Sequence, residues 1–318
     1  MSVSRVLLTG GTGFVGAHVA RRLLDAGAEL TLLVRPSSDP GRLRQLVGPR
    51  IERAAIRAVP LTSPEAVRAA VRAARTEAIL HLAADVRARA PEGEEPALAA
   101  LHVGSARHLA EAALEVGARL VAVSTSDVYG KLPSPHDALG PMAPLTPYAR
   151  TKAAADALLL ALCRERGLRA TVLRPYLVYG PAQAPRQFIP SLIEACLAAQ
   201  PFPMTEGTQL RDFVFVDDVA RAVILAATAD GAVGRAVDVC SGAPVRVCDV
   251  ARAIADAIRP AAGGPLVGAI ARGDHEADAH HGDPAPAAAL LGWRPEVSLE
   301  EGIAQTIAAC RAARGGAS

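Results

Sequence analysis

Short apolar runs alternate along the chain with longer stretches in which apolar residues return every three or four positions. Runs at 6–8, 30–34, 78–82, 120–124 and 170–173 have strand length, while 14–26, about 96–116 and 147–165 carry helical spacing. Strands and helices alternating in this way predict an α/β fold, a doubly wound parallel sheet covered on both faces. Past Arg174 the pattern breaks up, because Pro175, Gly180, Pro181, Pro185, Pro190, Pro201 and Pro203 interrupt short elements. That stretch is expected to form a smaller C-terminal α/β lobe on the carboxyl edge of the sheet, where open α/β sheets bind ligands. Helix-like 219–229 and strand-like 236–239 are expected to rejoin the main sheet. The division is therefore 1–175 and 176–318, with about 212–240 returning to the first part. The tail after Arg311 is expected to fray.

Composition narrows the class. With 318 residues, 51% hydrophobic, 21% charged and a net charge of +2, the chain is globular, and nothing argues for nucleic acid or an anionic membrane as its main partner. No apolar run nears the ~20 residues of a membrane span. The start reaches a glycine turn too soon for a signal peptide, so a cytoplasmic protein is expected. Cys163, Cys196, Cys240, Cys248 and Cys310 are scattered and form no CxxC pair, which reads as reduced thiols rather than a disulfide framework or a zinc site. Among 34 basic residues only Lys131 and Lys152 are lysines, so each retained lysine invites a chemical reason.

Directly after the first strand stands Thr9-Gly10-Gly11-Thr12-Gly13-Phe14-Val15-Gly16, with Gly10, Gly13 and Gly16 in the spacing TGxxGxxG at the opening of a helix. Glycines there permit a tight turn, let backbone N–H groups approach a pyrophosphate and allow close packing of helix on strand, which points to a dinucleotide. Thr12, Phe14 and Val15 belong to the same loop. A carboxylate ending the second strand would suit the ribose of NAD, but this strand ends Val34-Arg35-Pro36-Ser37-Ser38. Arg35, with Ser37 or Ser38, suits a 2′-phosphate, so NADP(H) is favoured over NAD(H); a solvated loop arginine is the alternative.

Tyr148 and Lys152 are four apart near the start of a helix and share a face. An ammonium at ~4 Å would lower the Tyr pKa by roughly three units at an effective dielectric of ~20, less what desolvation takes back, making the phenol a general acid or base. A hydroxyl cluster, Ser124-Thr125-Ser126-Asp127, ends the preceding strand.

With these residues in view the chain resembles the extended short-chain dehydrogenases/reductases, a family of nucleotide-sugar epimerases, dehydratases and ketoreductases. Further motifs carry the resemblance: His81-Leu82-Ala83-Ala84, Val128-Tyr129-Gly130, Arg174-Pro175 before Val178-Tyr179-Gly180-Pro181, Arg211-Asp212-Phe213-Val214 before Val216-Asp217-Asp218-Val219, and Leu291-Gly292-Trp293-Arg294-Pro295. The resemblance implies a Rossmann domain for NAD(P), flanked by Leu82, Ala83 and Ala84, and a lobe for a nucleoside diphosphate sugar. It assigns Tyr148 to proton transfer and Lys152 to the nicotinamide ribose and the Tyr pKa. Thr125 would hydrogen-bond the reacting oxygen, with Ser126 and Asp127 beside the sugar. Arg211 would contact the diphosphate, an ion pair with Asp212 or Asp217 being the alternative. It also implies a homodimer through helices near 96–116 and 147–167.

Three departures put the substrate in question. Val59-Pro60-Leu61 replaces a usual Gly-Asp-Leu, Leu177 replaces a usual Asn, and His102 occupies the place of another Asn. The crowded run Asp274, His275, Glu276, Asp278, His280, His281 and Asp283 lacks a recognised ligand spacing and is expected to be a solvated loop with no metal. Ser126-Asp127 stands where dehydratases carry an Asp-Glu pair. An NADP(H)-dependent reduction of a 4-keto-6-deoxyhexose nucleotide is therefore expected. The alternatives are an NAD-dependent 4-epimerase, a 4,6-dehydratase and a non-catalytic NADP(H)-sensing module.

Overall fold

The computed structural model describes residues 4–85, 92–273 and 276–315. β1 (Arg5–Thr9) leads through the glycine turn into α1 (Phe14–Asp25), then β2 (Glu29–Val34), α2 (Gly41–Val47), β3 (Ala55–Ala58), α3 (Pro64–Ala73) and β4 (Ala78–His81). α4 (Glu95–Ala99) continues through a π turn, Ala100–Gly104, into α5 (Ser105–Val116), followed by β5 (Arg119–Val123), α6 (Pro147–Arg166) and β6 (Ala170–Pro175). Beyond β6 come β7 (Leu177–Tyr179), α7 (Phe188–Leu197), β8 (Pro201–Met204), β9 (Leu210–Arg211), β10 (Phe213–Phe215), α8 (Val216–Ala226) and β11 (Arg235–Val239). The chain finishes with β12 (Val245–Arg246), α9 (Val247–Ile258), β13 (Gly264–Val267), β14 (Ala279–His280), α10 (Ala285–Leu291) and α11 (Leu299–Gly315).

Seven strands make one parallel sheet in the order β11-β6-β5-β4-β1-β2-β3, a Rossmann-like α/β architecture. The chain works outward from β1 to β3 and then crosses back to β4, so the carboxyl ends of β1 and β4 flank the crevice where strand order reverses. Val19, Leu23, Leu32, Leu80 and Val223 belong to the apolar layer on one face, and Val67, Leu109, Ala113 and Leu159 to the layer on the other. β3 escapes the apolar pattern because it is an edge strand whose four residues are all exposed. Leu82 lies one residue past the end of β4 and packs, partly buried, against the apolar layer of that face.

The segment after β6 forms smaller sheets over a third apolar cluster that includes Ile193, Phe213, Phe215, Ile254 and Ile303. β11 pairs with β6, and α8 packs on α1. A latch closes the far end of the chain. Trp293, fully buried, donates its indole N–H to the Asp218 carbonyl at 2.9 Å, and the Asp218 carboxylate accepts the backbone N–H groups of Glu296 and Val297 at 3.1 and 3.0 Å.

Candidate active site

The glycine turn is shaped by its neighbours. Gly10 has φ +74°, and a Cβ there would lie 2.6 Å from the Ala83 nitrogen, so the turn is pressed against the loop leaving β4. Gly13 caps α1 with no side-chain hydrogen bond, and the first turn of α1 holds no acidic residue. Its N–H groups and the positive end of the helix dipole suit a pyrophosphate. Thr12, Phe14 and Val15 are half-buried at this opening. Arg42 laces the turn to the segment after β7, donating to the carbonyls of Ala182 at 2.9 Å and Thr12 at 3.4 Å; nothing in the sequence pattern pointed to it. Arg35 and Ser37 are exposed past the end of β2, and Ser38 Oγ accepts the Arg35 backbone N–H at 3.1 Å.

His81 holds the β4 loop by a relay in which each group has one role. The Ala83 N–H donates to Thr9 Oγ1 at 3.2 Å, and the Thr9 hydroxyl meets His81 Nδ1 at 2.8 Å. His81 Nε2 then lies 3.2 Å from Ser105 Oγ, which donates to the Leu101 carbonyl. Burial holds the His81 imidazole neutral, with a pKa lowered to about 3. The unfolded chain thus takes up a proton below 6.5 that the folded protein refuses, so this stabilisation is present at neutral pH and lost on acidification.

Tyr148 stands in the first turn of α6. Thr146 caps that helix by accepting the Ala149 N–H at 3.1 Å, and Pro147 occupies its first position. Lys152 Nζ donates to the Val123 carbonyl at 2.6 Å, so the end of β5 and the first turns of α6 meet at one point, with Tyr148 and Lys152 both buried there. Here the electrostatics differ from the simple pairing argument. Burial first, and the Asp127 charge second, push the Tyr148 phenol well above the usual tyrosine range, outweighing the opposing pull of the Thr125 hydroxyl. Burial also lowers Lys152, while Asp156 opposes it. The phenolate pays for desolvation at close quarters, and the ammonium is already turned to a backbone carbonyl. Tyr148 is therefore held in its protonated form.

Asp127 reaches the surface at the rim, yet it is crowded on most sides, and burial raises its pKa against the pull of Thr125 and Arg211. Arg211 is tied by Nη1 to the carbonyls of Leu210 and Ala277 at 2.8 and 2.9 Å. Neither acid proposed as its alternative partner is engaged with it. Asp212 accepts from Ser241 N and Oγ at 2.7 Å and Gly242 N at 3.0 Å, and Asp217 pairs with Arg21 and Arg22.

The acidic-histidine run is not wholly a solvated loop. Asp274 and His275 lie outside the described residues. Arg272 pairs with Glu276 and Asp278, but His280 is buried, with Nε2 3.0 Å from Ser126 Oγ. β14 pairs with β9 so that His280 stands opposite Arg211, and this pairing draws a histidine out of a polar run into the site. A two-residue strand leaves no periodic signal. Among the described residues no group of three His, Cys, Asp or Glu side chains is arranged to hold a metal.

Residues 6–240 match the model of the NAD dependent epimerase/dehydratase family. The chain belongs to that family. It is 32% identical over 320 residues to a UDP-glucose 4-epimerase of Mycolicibacterium smegmatis, covering 95% of this chain and 97% of that one. It is 35% identical over 237 residues to a dTDP-glucose 4,6-dehydratase of the same organism, covering 73% and 70%. Its fold superposes with a TM-score of 0.83 on the UDP-glucose 4-epimerase of Thermus thermophilus in complex with NAD, at 29% identity and 97% and 99% coverage. This family member is an enzyme, an extended short-chain dehydrogenase/reductase, and the sensing module is set aside. No helix of the described residues is long and apolar enough to cross a membrane, and all five cysteines are free thiols.

Several motifs that carried the resemblance have structural roles. Arg174 is buried against Asp156 at 3.0 Å and donates to Tyr129 Oη at 3.0 Å, while the Tyr129 hydroxyl donates to Asp238 at 2.7 Å. Trp293 belongs to the latch described above.

Proposed function

We propose that this enzyme reduces the 4-keto group of a nucleoside diphosphate 6-deoxyhexose in the cytoplasm with NADPH as co-substrate. The observation that carries the reading is the buried pair Tyr148 and Lys152 on one face of α6, with the Lys152 ammonium on the Val123 carbonyl at the carboxyl end of β5. The part through residue 175 would hold the dinucleotide and the remainder most of the sugar nucleotide. The uncapped, acid-free start of α1 and the close approach of Gly10 to Ala83 fit a pyrophosphate running over the turn. When bound, the reduced dinucleotide supplies a hydride to the carbonyl carbon. The Tyr148 hydroxyl gives its proton to the oxygen, so ketone, hydride and proton balance as a secondary alcohol. Thr125 hydrogen-bonds the same oxygen as its charge develops. Lys152, tied to Val123, supports the cofactor ribose, and Arg211 faces the diphosphate while Ser126 and Asp127 border the sugar.

The test is NADPH oxidation against a panel of 4-keto-6-deoxy sugar nucleotides. Stoichiometric loss of NADPH with one such ketone supports the reading. Interconversion of 4-hydroxy sugar nucleotides without net cofactor consumption would overturn it in favour of a 4-epimerase retaining NAD. The 32% identical UDP-glucose 4-epimerase favours that second reading.

Cofactor choice rests on the exposed Arg35 at the end of β2. NADPH is expected to bind more tightly than NADH, and Arg35→Ala to remove most of the difference, about ten- to hundredfold for a charge-assisted phosphate contact. Equal affinities of the wild-type protein for the two by calorimetry would exclude a phosphate-reading role. A homodimer through α5 and α6 fits the outward row Ala154, Ala157, Leu158 and Ala161 on α6, exposed or half-buried at helical spacing. Light scattering at micromolar concentration should give twice the 32.8 kDa chain mass, and a monomer contradicts it.

A further inference from the structure

His102 has no part in the proton transfer just described, yet it is buried between the loop after β4 and the first turn of α6. Its Nε2 accepts the Asp85 backbone N–H at 3.1 Å, and its Nδ1 lies 2.9 Å from Thr151 Oγ1. A backbone N–H can only donate, so Nε2 carries the lone pair and Nδ1 the proton. Thr151 can accept that proton because its own hydroxyl donates to the Pro147 and Tyr148 carbonyls, each at 3.0 Å. The imidazole also meets the Tyr148 ring edge to face, with centroids 5.7 Å apart. The ring is carried on the π turn Ala100–Gly104, a departure from regular helix of the kind found at functional sites.

We infer that His102 is a positioning residue, a brace that sets the spacing between the loop at 82–85 and the Tyr148–Lys152 turn, and that it works only as the neutral imidazole with its proton on Nδ1. A second proton would sit on Nε2, facing the Asp85 N–H, and the tie to the loop would break. Among the described residues, Asp85 from the loop, Lys152 and Tyr148 from α6 and His81 from β4 are the titratable groups around the ring. Burial and Lys152 oppose the second proton and Asp85 favours it, leaving the pKa lowered to about 4. The resemblance puts an asparagine at this position. Its carboxamide reproduces the Nδ1 donor to Thr151 but stops short of the Nε2 position, which a glutamine reaches.

Three measurements test the brace, and only the last rests on the keto-reduction reading. By 15N NMR of the wild-type imidazoles, His102 should show the Nδ1–H tautomer without titrating between about pH 8 and 5. An Nε2–H tautomer, or a midpoint near the ordinary value of about 6.5, overturns the proposal. In amide exchange, His102→Gln should keep the Asp85 N–H protected within about threefold of wild type, whereas His102→Asn and His102→Ala should expose it by about a hundredfold. Equal protection in all four proteins overturns it. In steady state, His102→Ala should lower kcat on the best ketone by about 10–100-fold with KM changed less than about threefold, and His102→Gln, which has no second proton to take, should lose the wild-type decline below about pH 5. A change confined to KM overturns the positioning role. If the wild type turns over no ketone of the panel, the reading of the reaction fails while the tautomer and exchange results still decide the brace.

Discussion

Tyr148→Phe is expected to lower turnover of the best keto-sugar nucleotide by about 10²–10⁴-fold, the usual worth of a positioned general acid, with NADPH binding nearly unchanged. The substitution deletes one hydroxyl and keeps the ring, so the contact with His102 and the cap of α6 survive. Thr125→Ala should cost less, about 10²–10³-fold, as loss of one hydrogen bond to a developing oxyanion. Asp127→Asn is the electrostatic control. Asp127 raises the Tyr148 pKa, so removing its charge should bring the alkaline loss of activity to lower pH, since reduction needs the phenol protonated. The measurement is a pH profile of kcat/KM for NADPH oxidation. Wild-type rates for Tyr148→Phe would remove this residue from the mechanism.

Arg174→Met is expected to cost about 3–5 kcal/mol of stability, a large share of the roughly 5–15 kcal/mol typical of a folded domain. It strands the Asp156 carboxylate, 2% exposed and 3.0 Å from the guanidinium, and takes a donor from Tyr129 Oη. Asp156 lies one turn beyond Lys152 on α6, so the damage should reach the site and weaken dinucleotide binding as well. Burial raises the pKa of Asp238 at the other end of this network to about 7, so the folded protein takes up a proton on acidification from 7 towards 3.8 that the unfolded chain does not. That group gains stability as pH falls, opposite in sign to His81. Urea unfolding at neutral pH reads the loss. The double variant with Asp156→Leu should recover part of it, because two apolar groups replace a stranded charge. A cost under about 1 kcal/mol for Arg174→Met would mean that the pair does not hold this part of the core.

The alternation of strand and helix, the glycine turn and the Tyr148–Lys152 spacing were all legible in the chain, because each is a local pattern read over a few residues. Strand period, helix period and the tolerance of glycine for a close backbone approach are properties of short segments, and the seven-stranded parallel sheet follows from their order. The edge strand β3 was not legible, since an edge position relieves its residues of the need to be apolar. What the residues do to one another was not legible either. The four-residue spacing promised a lowered phenol pKa, but burial on the folded protein's scale reversed the sign. The run around residue 280 looked solvated until a two-residue strand paired with β9 and carried His280 to Ser126. His102 was only a departure from a pattern until the π turn set it between Asp85 and Thr151. Desolvation and contacts between residues far apart in sequence depend on which surfaces meet, and that is decided only when the sheet, its helices and the later segments pack together.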